Sequence, residues 1–117
     1  MNIIKTNIAD NEWNMDLFYD MFQSPDRESA KDHAGETYHC DKYCEYEEEN
    51  GKGEIISLLT VQTTEGIVLT TTSPSFLRTF GCIAELAGKC NVEGYAFSIR
   101  EEKSKNNREY ITAVYEK

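Results

Sequence analysis

Tyrosines and basic residues at strand spacing are the side chains of this sequence best suited to chemistry. The chain has seven tyrosines, and most lie in segments that alternate apolar and polar residues. Flat rings on which bases stack, together with cations that follow the phosphates, are what binding of a single-stranded nucleic acid requires. The candidate stacking residues are Tyr38, Tyr43, Tyr46 and Tyr110, and the candidate phosphate contacts are Lys42, Lys52, Arg100, Lys103, Lys105 and Arg108. A tyrosine also fills the half-buried surface of a sheet, so burial is the competing interpretation for each ring.

Patterns that would indicate catalysis or metal binding are missing from the sequence. His33 and His39 have no nucleophile and acid at a recognisable spacing, and neither a glycine-rich phosphate loop nor an HExxH motif occurs. The cysteines lack the tight spacing of a zinc site and are expected to be free thiols, mostly buried. They are Cys40, Cys44, Cys82 and Cys90. We therefore expect no enzyme, no metal and no cofactor.

The net charge of −9 is unevenly distributed along the chain. Residues 1–34 carry seven acids against three bases, and residues 35–54 carry seven against two. Residues 55–117 are balanced, with seven of each. The net charge argues against a protein that grips duplex phosphates by sheer positive charge, but the second half can still present a local basic surface.

The predicted elements after residue 35 follow the order β-β-β-α-β-β. Alternation predicts strands in the first three segments and in the last two, and the turn residues between them separate the strands. Ser73-Pro74 is a helix-start signal, and the apolar positions after it recur at helical spacing as far as Gly88. The predicted strands are Thr37–Glu48, Glu54–Thr63, Ile67–Thr72, Tyr95–Glu101 and Glu109–Glu116.

This order of elements predicts a mainly β protein with helices, built as a five-stranded OB-fold-like barrel. The barrel is expected to span residues 35–117 as a single-stranded nucleic-acid-binding domain. In such a barrel the turn that holds Lys52 and the loop that holds Lys103, Lys105 and Arg108 flank the binding face. Residues 1–34 are expected to form a separate N-terminal segment.

The N-terminal segment contains a predicted amphipathic helix over residues 11–22, followed by a polar linker over residues 24–35. One interpretation is a helix that packs on the barrel or closes one end of it. The other is an acidic-aromatic segment that docks in a partner or in a second copy of the chain. Its candidate partner contacts are Trp13, Asp16, Leu17, Asp20 and Met21.

Residues 54–117 resemble the small single-stranded DNA-binding proteins of phages and mobile elements of Gram-positive bacteria. The resemblance rests on a Glu65-Gly66 turn, a threonine-rich strand, the Ser73-Pro74-Ser75-Phe76 helix start and a strand pair around Lys103-Ser104-Lys105-Asn106. It implies an OB-type barrel that coats single-stranded DNA during replication with little sequence preference.

A second hypothesis is a small acidic inhibitor or DNA mimic that binds a host protein of defence or DNA processing. The carboxylates of residues 10–54 could imitate phosphates, and the aromatic helix would add an apolar contact. No apolar run is long enough to span a membrane and no secretory signal is present, so a cytoplasmic location is expected. An exposed edge strand leaves a homodimer open.

Overall fold

The structure, a computed structural model, describes all 117 residues and is mainly β. Its strands form one curled, half-barrel sheet that is compatible with a barrel-like fold. The prediction of a mainly β protein with helices is confirmed, but the sheet has 7 strands rather than five. The elements are β1 (Asn2–Thr6), α1 (Met15–Phe22), β2 (Glu28–Ser29), β3 (Thr37–Glu49), β4 (Ile55–Thr63), β5 (Val68–Thr71), α2 (Pro74–Lys89), β6 (Ala96–Lys103) and β7 (Glu109–Glu116).

The long strand β3 organises the sheet because it pairs with three other strands. Its first residues, Thr37–His39, pair with β6, and Cys40–Glu49 pair with β4. β1 pairs with the later part of β3, on the edge with which β6 pairs only at the start of the strand. The strand order is therefore β2-β5-β4-β3-β6-β7, with β1 added to β3.

A register irregularity between Cys40 and Lys42 changes which side chains of β3 face the main core. Successive residues of a strand point to opposite faces, so one extra residue reverses the alternation that follows. Cys40 belongs to the main core, and after the irregularity Tyr43, rather than Lys42, packs against that core. Cys44 and Tyr46 face the opposite side and form a second cluster with α1.

Helix α2 covers the main core and follows its sequence signals closely. The Ser73 hydroxyl accepts a hydrogen bond from the Phe76 amide, and Pro74 occupies the first turn. The helix ends at Lys89, one residue beyond the predicted end. Its buried face consists of the residues that the periodicity predicts: Phe76, Phe80, Ile83, Ala84 and Ala87.

Helix α1 is shorter than predicted and packs on the outer side of the β3–β4 pair. It begins at Met15 because the Asn14 side chain accepts a hydrogen bond from the Leu17 amide at 2.8 Å. Residues 10–12 form a separate 3₁₀ turn. Thr60 of β4 donates its hydroxyl to the Met21 carbonyl at 2.8 Å, which ties the end of the helix to the sheet.

The predicted linker over residues 24–35 contains ordered structure. Its strand β2 pairs in parallel with β5, and a 3₁₀ turn over residues 30–33 follows. Arg27 donates to the Ser24 and Met21 carbonyls and to the Tyr46 hydroxyl. Neither helix has the length and apolar character that would be needed to cross a bilayer.

Candidate nucleic-acid interface

The hairpin of β6 and β7 carries five of the ten residues that the sequence predicts as nucleic-acid contacts. The two strands pair antiparallel from Ala96 opposite Glu116 to Lys103 opposite Glu109. The tip is closed by a hydrogen bond from the Ser104 amide to the Arg108 carbonyl at 2.9 Å. Asn107 occupies the left-handed region with φ of 59°, a conformation that asparagine adopts more readily than most residues.

The tip of this hairpin presents three cations without carboxylate partners. Lys103, Lys105 and Arg108 are exposed, and none has a carboxylate oxygen within the 4.0 Å distance of a salt bridge. We call these three residues the cationic loop. Cations without partners on a surface are free to contact phosphates, because no ion pair has to be broken first.

Two further predicted contacts, Arg100 and Tyr110, lie farther from the tip of the same hairpin and have Glu102 as an acidic neighbour. Arg100 is exposed, and its Nη1 atom lies 4.0 Å from Oε1 of Glu102. Tyr110 is half-buried, and its hydroxyl donates to Oε2 of Glu102 at 3.1 Å. This hydrogen bond to the Glu102 carboxylate is the main reason why the pKa of Tyr110 is raised.

The tyrosines of β3 are less exposed than a stacking surface requires. Tyr46 is fully buried, with its ring 4.7 Å from that of Phe22 and its hydroxyl accepting from Arg27 at 3.1 Å. Tyr38 is buried in the main core, and its hydroxyl lies 2.9 Å from Nδ1 of His33. Neither ring can stack on a base, so neither tyrosine belongs to the candidate interface.

Tyr43 is the β3 tyrosine that keeps some exposure. Its ring packs edge-on against Phe80 at a centroid distance of 5.5 Å, and burial is the main reason why its pKa is raised. It borders a cleft of about 690 Å³ between β3 and the end of α2. The neighbouring Lys42 borders the same cleft, but its Nζ atom lies 3.7 Å from Oδ1 of Asp41.

The two predicted cationic sites lie at opposite ends of β3. Lys52 is exposed in the turn after the carboxyl end of β3, where the Asn50 side chain accepts from its amide at 2.8 Å. β6 runs antiparallel to β3 from Ala96 opposite His39, so its carboxyl end extends beyond the amino end of β3. The cationic loop and Lys52 are therefore not brought together at one edge of the sheet.

The predicted partner contacts of the N-terminal helix divide into buried and exposed residues. Leu17 and Met21 are buried in the second cluster, so they hold α1 to the sheet. Trp13 is partly exposed, with Asp16 exposed and Asp20 half-buried. Three exposed apolar residues that are not among the predicted partner contacts, Met15, Phe18 and Tyr19, lie on the same helix.

The remaining reactive side chains do not converge on a site. No group of three or more histidine, cysteine or acidic side chains is arranged to hold a metal ion. All four cysteines are unpaired, and burial raises the pKa of both Cys40 and Cys44 to about 11. Cys82 and Cys90 are exposed on and just after α2.

Comparisons with known proteins identify no relative of this chain. No protein-family model matches it, and searches of curated proteins and of solved structures found no match.

Proposed function

We propose that this protein binds single-stranded DNA through the β6–β7 hairpin and coats it with little sequence preference. The observation that carries the proposal is the cationic loop, whose three side chains are exposed and without partners in a strongly acidic chain. Arg100 and Tyr110 extend this surface along the hairpin, with a ring for stacking and a further cation.

The finer fold assignment within this proposal is an OB-type barrel. It is supported by the pairing of the six elements after residue 37, in which the first strand, β3, pairs with both β4 and β6. β5 pairs with β4, and β7 pairs with β6. The five strands therefore lie in the order β5-β4-β3-β6-β7, which is the order expected when one long strand, β3, belongs to both halves of a barrel. β1 and β2 are additions to this plan.

The proposed mode relies more on phosphates than on stacking. Of the four candidate stacking tyrosines, two are buried and two are half-buried, whereas the cations of the hairpin are exposed. Contacts to phosphates carry no sequence information, and they weaken as salt concentration rises. Binding should therefore be tolerant of sequence and strongly dependent on salt.

The decisive experiment compares two triple variants of equal charge in polarisation titrations with a labelled dT oligomer. Changing Lys103, Lys105 and Arg108 to Ala should lower affinity and reduce the slope of log K against log salt by about 2, at about 0.7 per phosphate contact. The matched control changes Lys5, Lys89 and Lys117 to Ala, three exposed cations outside the hairpin. Equal affinity of the two variants at every salt concentration would overturn the proposal.

A further inference from the structure

An exposed apolar and aromatic surface on α1 is not used by the proposed DNA contacts. Met15 is 86% exposed, Phe18 41% and Tyr19 49%. Trp13 lies beside them, with its ring stacked on that of Phe18 at a centroid distance of 4.5 Å. With the exposed Asp16, these residues form what we call the α1 patch. Aromatic residues and methionine are enriched at protein interfaces, and contiguous exposed apolar surface marks such sites.

The α1 patch is held on a fixed support. Leu17 and Met21, on the opposite side of the helix, are buried against Cys44 and Tyr46 of β3. The Thr60 hydroxyl also holds the Met21 carbonyl. Because these contacts hold the helix in place, little backbone entropy is lost when a partner binds to the patch.

The charge around the α1 patch specifies the chemistry of its partner. Between residues 6 and 26 the chain has five acids and no lysine or arginine, and the next cation, Arg27, is engaged by the Ser24 and Met21 carbonyls and the Tyr46 hydroxyl. None of these five carboxylates forms a salt bridge. They are Asp10, Glu12, Asp16, Asp20 and Asp26. A nucleic acid would be repelled by this surface, whereas lysine and arginine side chains would find carboxylates without salt bridges and aromatic faces for cation–π contacts.

We propose that the α1 patch docks a basic amphipathic segment of another protein. Apolar side chains of that segment would contact Phe18, Met15 and the Trp13 ring, while its cations would pair with Asp16 and Asp20. A second copy of this chain fits less well, because the three unpaired cations that lie together in its sequence, those of the cationic loop, are separated by the polar residues Ser104, Asn106 and Asn107 rather than by apolar ones. The proposal does not depend on DNA binding.

The fluorescence of Trp13, the single tryptophan of the chain, reports directly on the patch. The probe is a synthetic helical peptide of leucine and lysine with its leucines on one face. We expect a saturable change in Trp13 emission. A peptide with serine in place of leucine and the same charge should bind at least about tenfold more weakly, a loss of about 1.4 kcal/mol. A leucine and glutamate peptide should not bind. Equal binding of the serine peptide would overturn the proposal.

Variants of the chain test the residues of the patch. Phe18→Ser, and separately Asp16→Asn combined with Asp20→Asn, should each weaken binding of the leucine–lysine peptide by about tenfold, as truncation of a central interface contact does. Glu101→Gln combined with Glu109→Gln removes the same charge from the hairpin and should leave peptide affinity unchanged. Unchanged peptide affinity in Phe18→Ser would overturn the proposal, as would self-association of the wild type that Phe18→Ser abolishes.

The same variants separate this proposal from DNA binding. Phe18→Ser should retain the affinity of the wild type for the dT oligomer, and its unfolding midpoint in urea should fall only by the small amount expected from the lost stacking on Trp13. A loss of peptide binding with DNA binding intact assigns the α1 patch to a protein partner. A parallel loss of both activities with a lowered midpoint would mean that Phe18 acts through the fold, and would overturn the assignment.

Discussion

The α1 patch and the cationic loop are exposed surfaces of opposite charge that are supported in different ways. The patch lies on a helix whose other side is buried against β3 and β4, and it combines rings with carboxylates. The loop is the tip of a two-stranded hairpin, held by local hydrogen bonds and formed by polar and basic residues. The apolar patch is thus supported by a buried cluster beneath it, whereas the polar loop is held by the hydrogen bonds of its own turn.

The largest expected effect is on the support of the α1 patch. Met21→Ala removes a fully buried side chain and should destabilise the protein by about 2–5 kcal/mol, because the transfer free energy of that side chain is lost and a cavity is left in its place. Met15→Ala is the control, because Met15 is 86% exposed and its truncation should change stability by less than about 0.5 kcal/mol. Urea unfolding measures both. Equal losses would mean that α1 is not held to the sheet as the structure describes.

A smaller effect is expected at the start of α1. Asn14→Ala removes the side-chain acceptor of the Leu17 amide and should cost about 1 kcal/mol of unfolding free energy. Asn14→Asp is the control, because it retains an acceptor and should cost much less. If the two variants have the same urea midpoint, the cap does not determine where the helix begins.

On the hairpin, Tyr110→Phe should have a smaller effect still. The change removes a partly exposed hydrogen bond to Glu102, and because water competes for both partners the urea midpoint should change little. Its more informative result is spectroscopic, since the ultraviolet titration should lose one of the tyrosines whose pKa is raised, while Tyr43 and the other buried tyrosines keep theirs. Tyr115→Phe is the control, because Tyr115 is exposed on β7 and its hydroxyl forms no hydrogen bond. Loss of the same titration in Tyr115→Phe would contradict the assignment.

The smallest effect is expected from His33, which joins the N-terminal segment to the start of β3. Its Nε2 atom lies 2.9 Å from Oε1 of Glu28, and its Nδ1 atom contacts Glu36. The hydrogen bond to Glu28 is the main reason why the pKa of His33 is raised above its ordinary value of 6.5. The stabilisation of the folded protein by protonated His33 is therefore complete below pH 6.5. It is lost as pH rises through the higher pKa that His33 has in the folded protein.

Urea midpoints measured between mildly acidic and mildly alkaline pH test this contribution. The wild type should lose stability relative to His33→Gln as pH rises, because only the wild type releases this proton. Glu65 and His39 form a separate pair and serve as the comparison, since His39→Gln should keep the decline due to His33. Parallel profiles of the wild type and His33→Gln would contradict the assignment.

Local sequence signals predicted much of the fold. The order of elements after residue 37, the cap and buried face of α2, and the position of the hairpin loop all depend on neighbouring residues, so turn chemistry and periodicity were enough. β1 and β2 were missed because each is short and has exposed residues, without the alternation that marks a half-buried strand. They form because β3 and β5 offer free edges to them.

The residues of the candidate site also fall into two groups, those whose exposure the sequence predicted and those whose exposure it did not. That Lys103, Lys105 and Arg108 would be exposed followed from a polar turn between two strands, a property of the sequence alone. Which tyrosines would be exposed did not follow from the sequence. The irregularity after Cys40 reverses the faces of β3, and α1 then covers Tyr46. The faces of a strand and of a packed helix are chosen by partners distant in the chain, and only pairing and packing in three dimensions specify them.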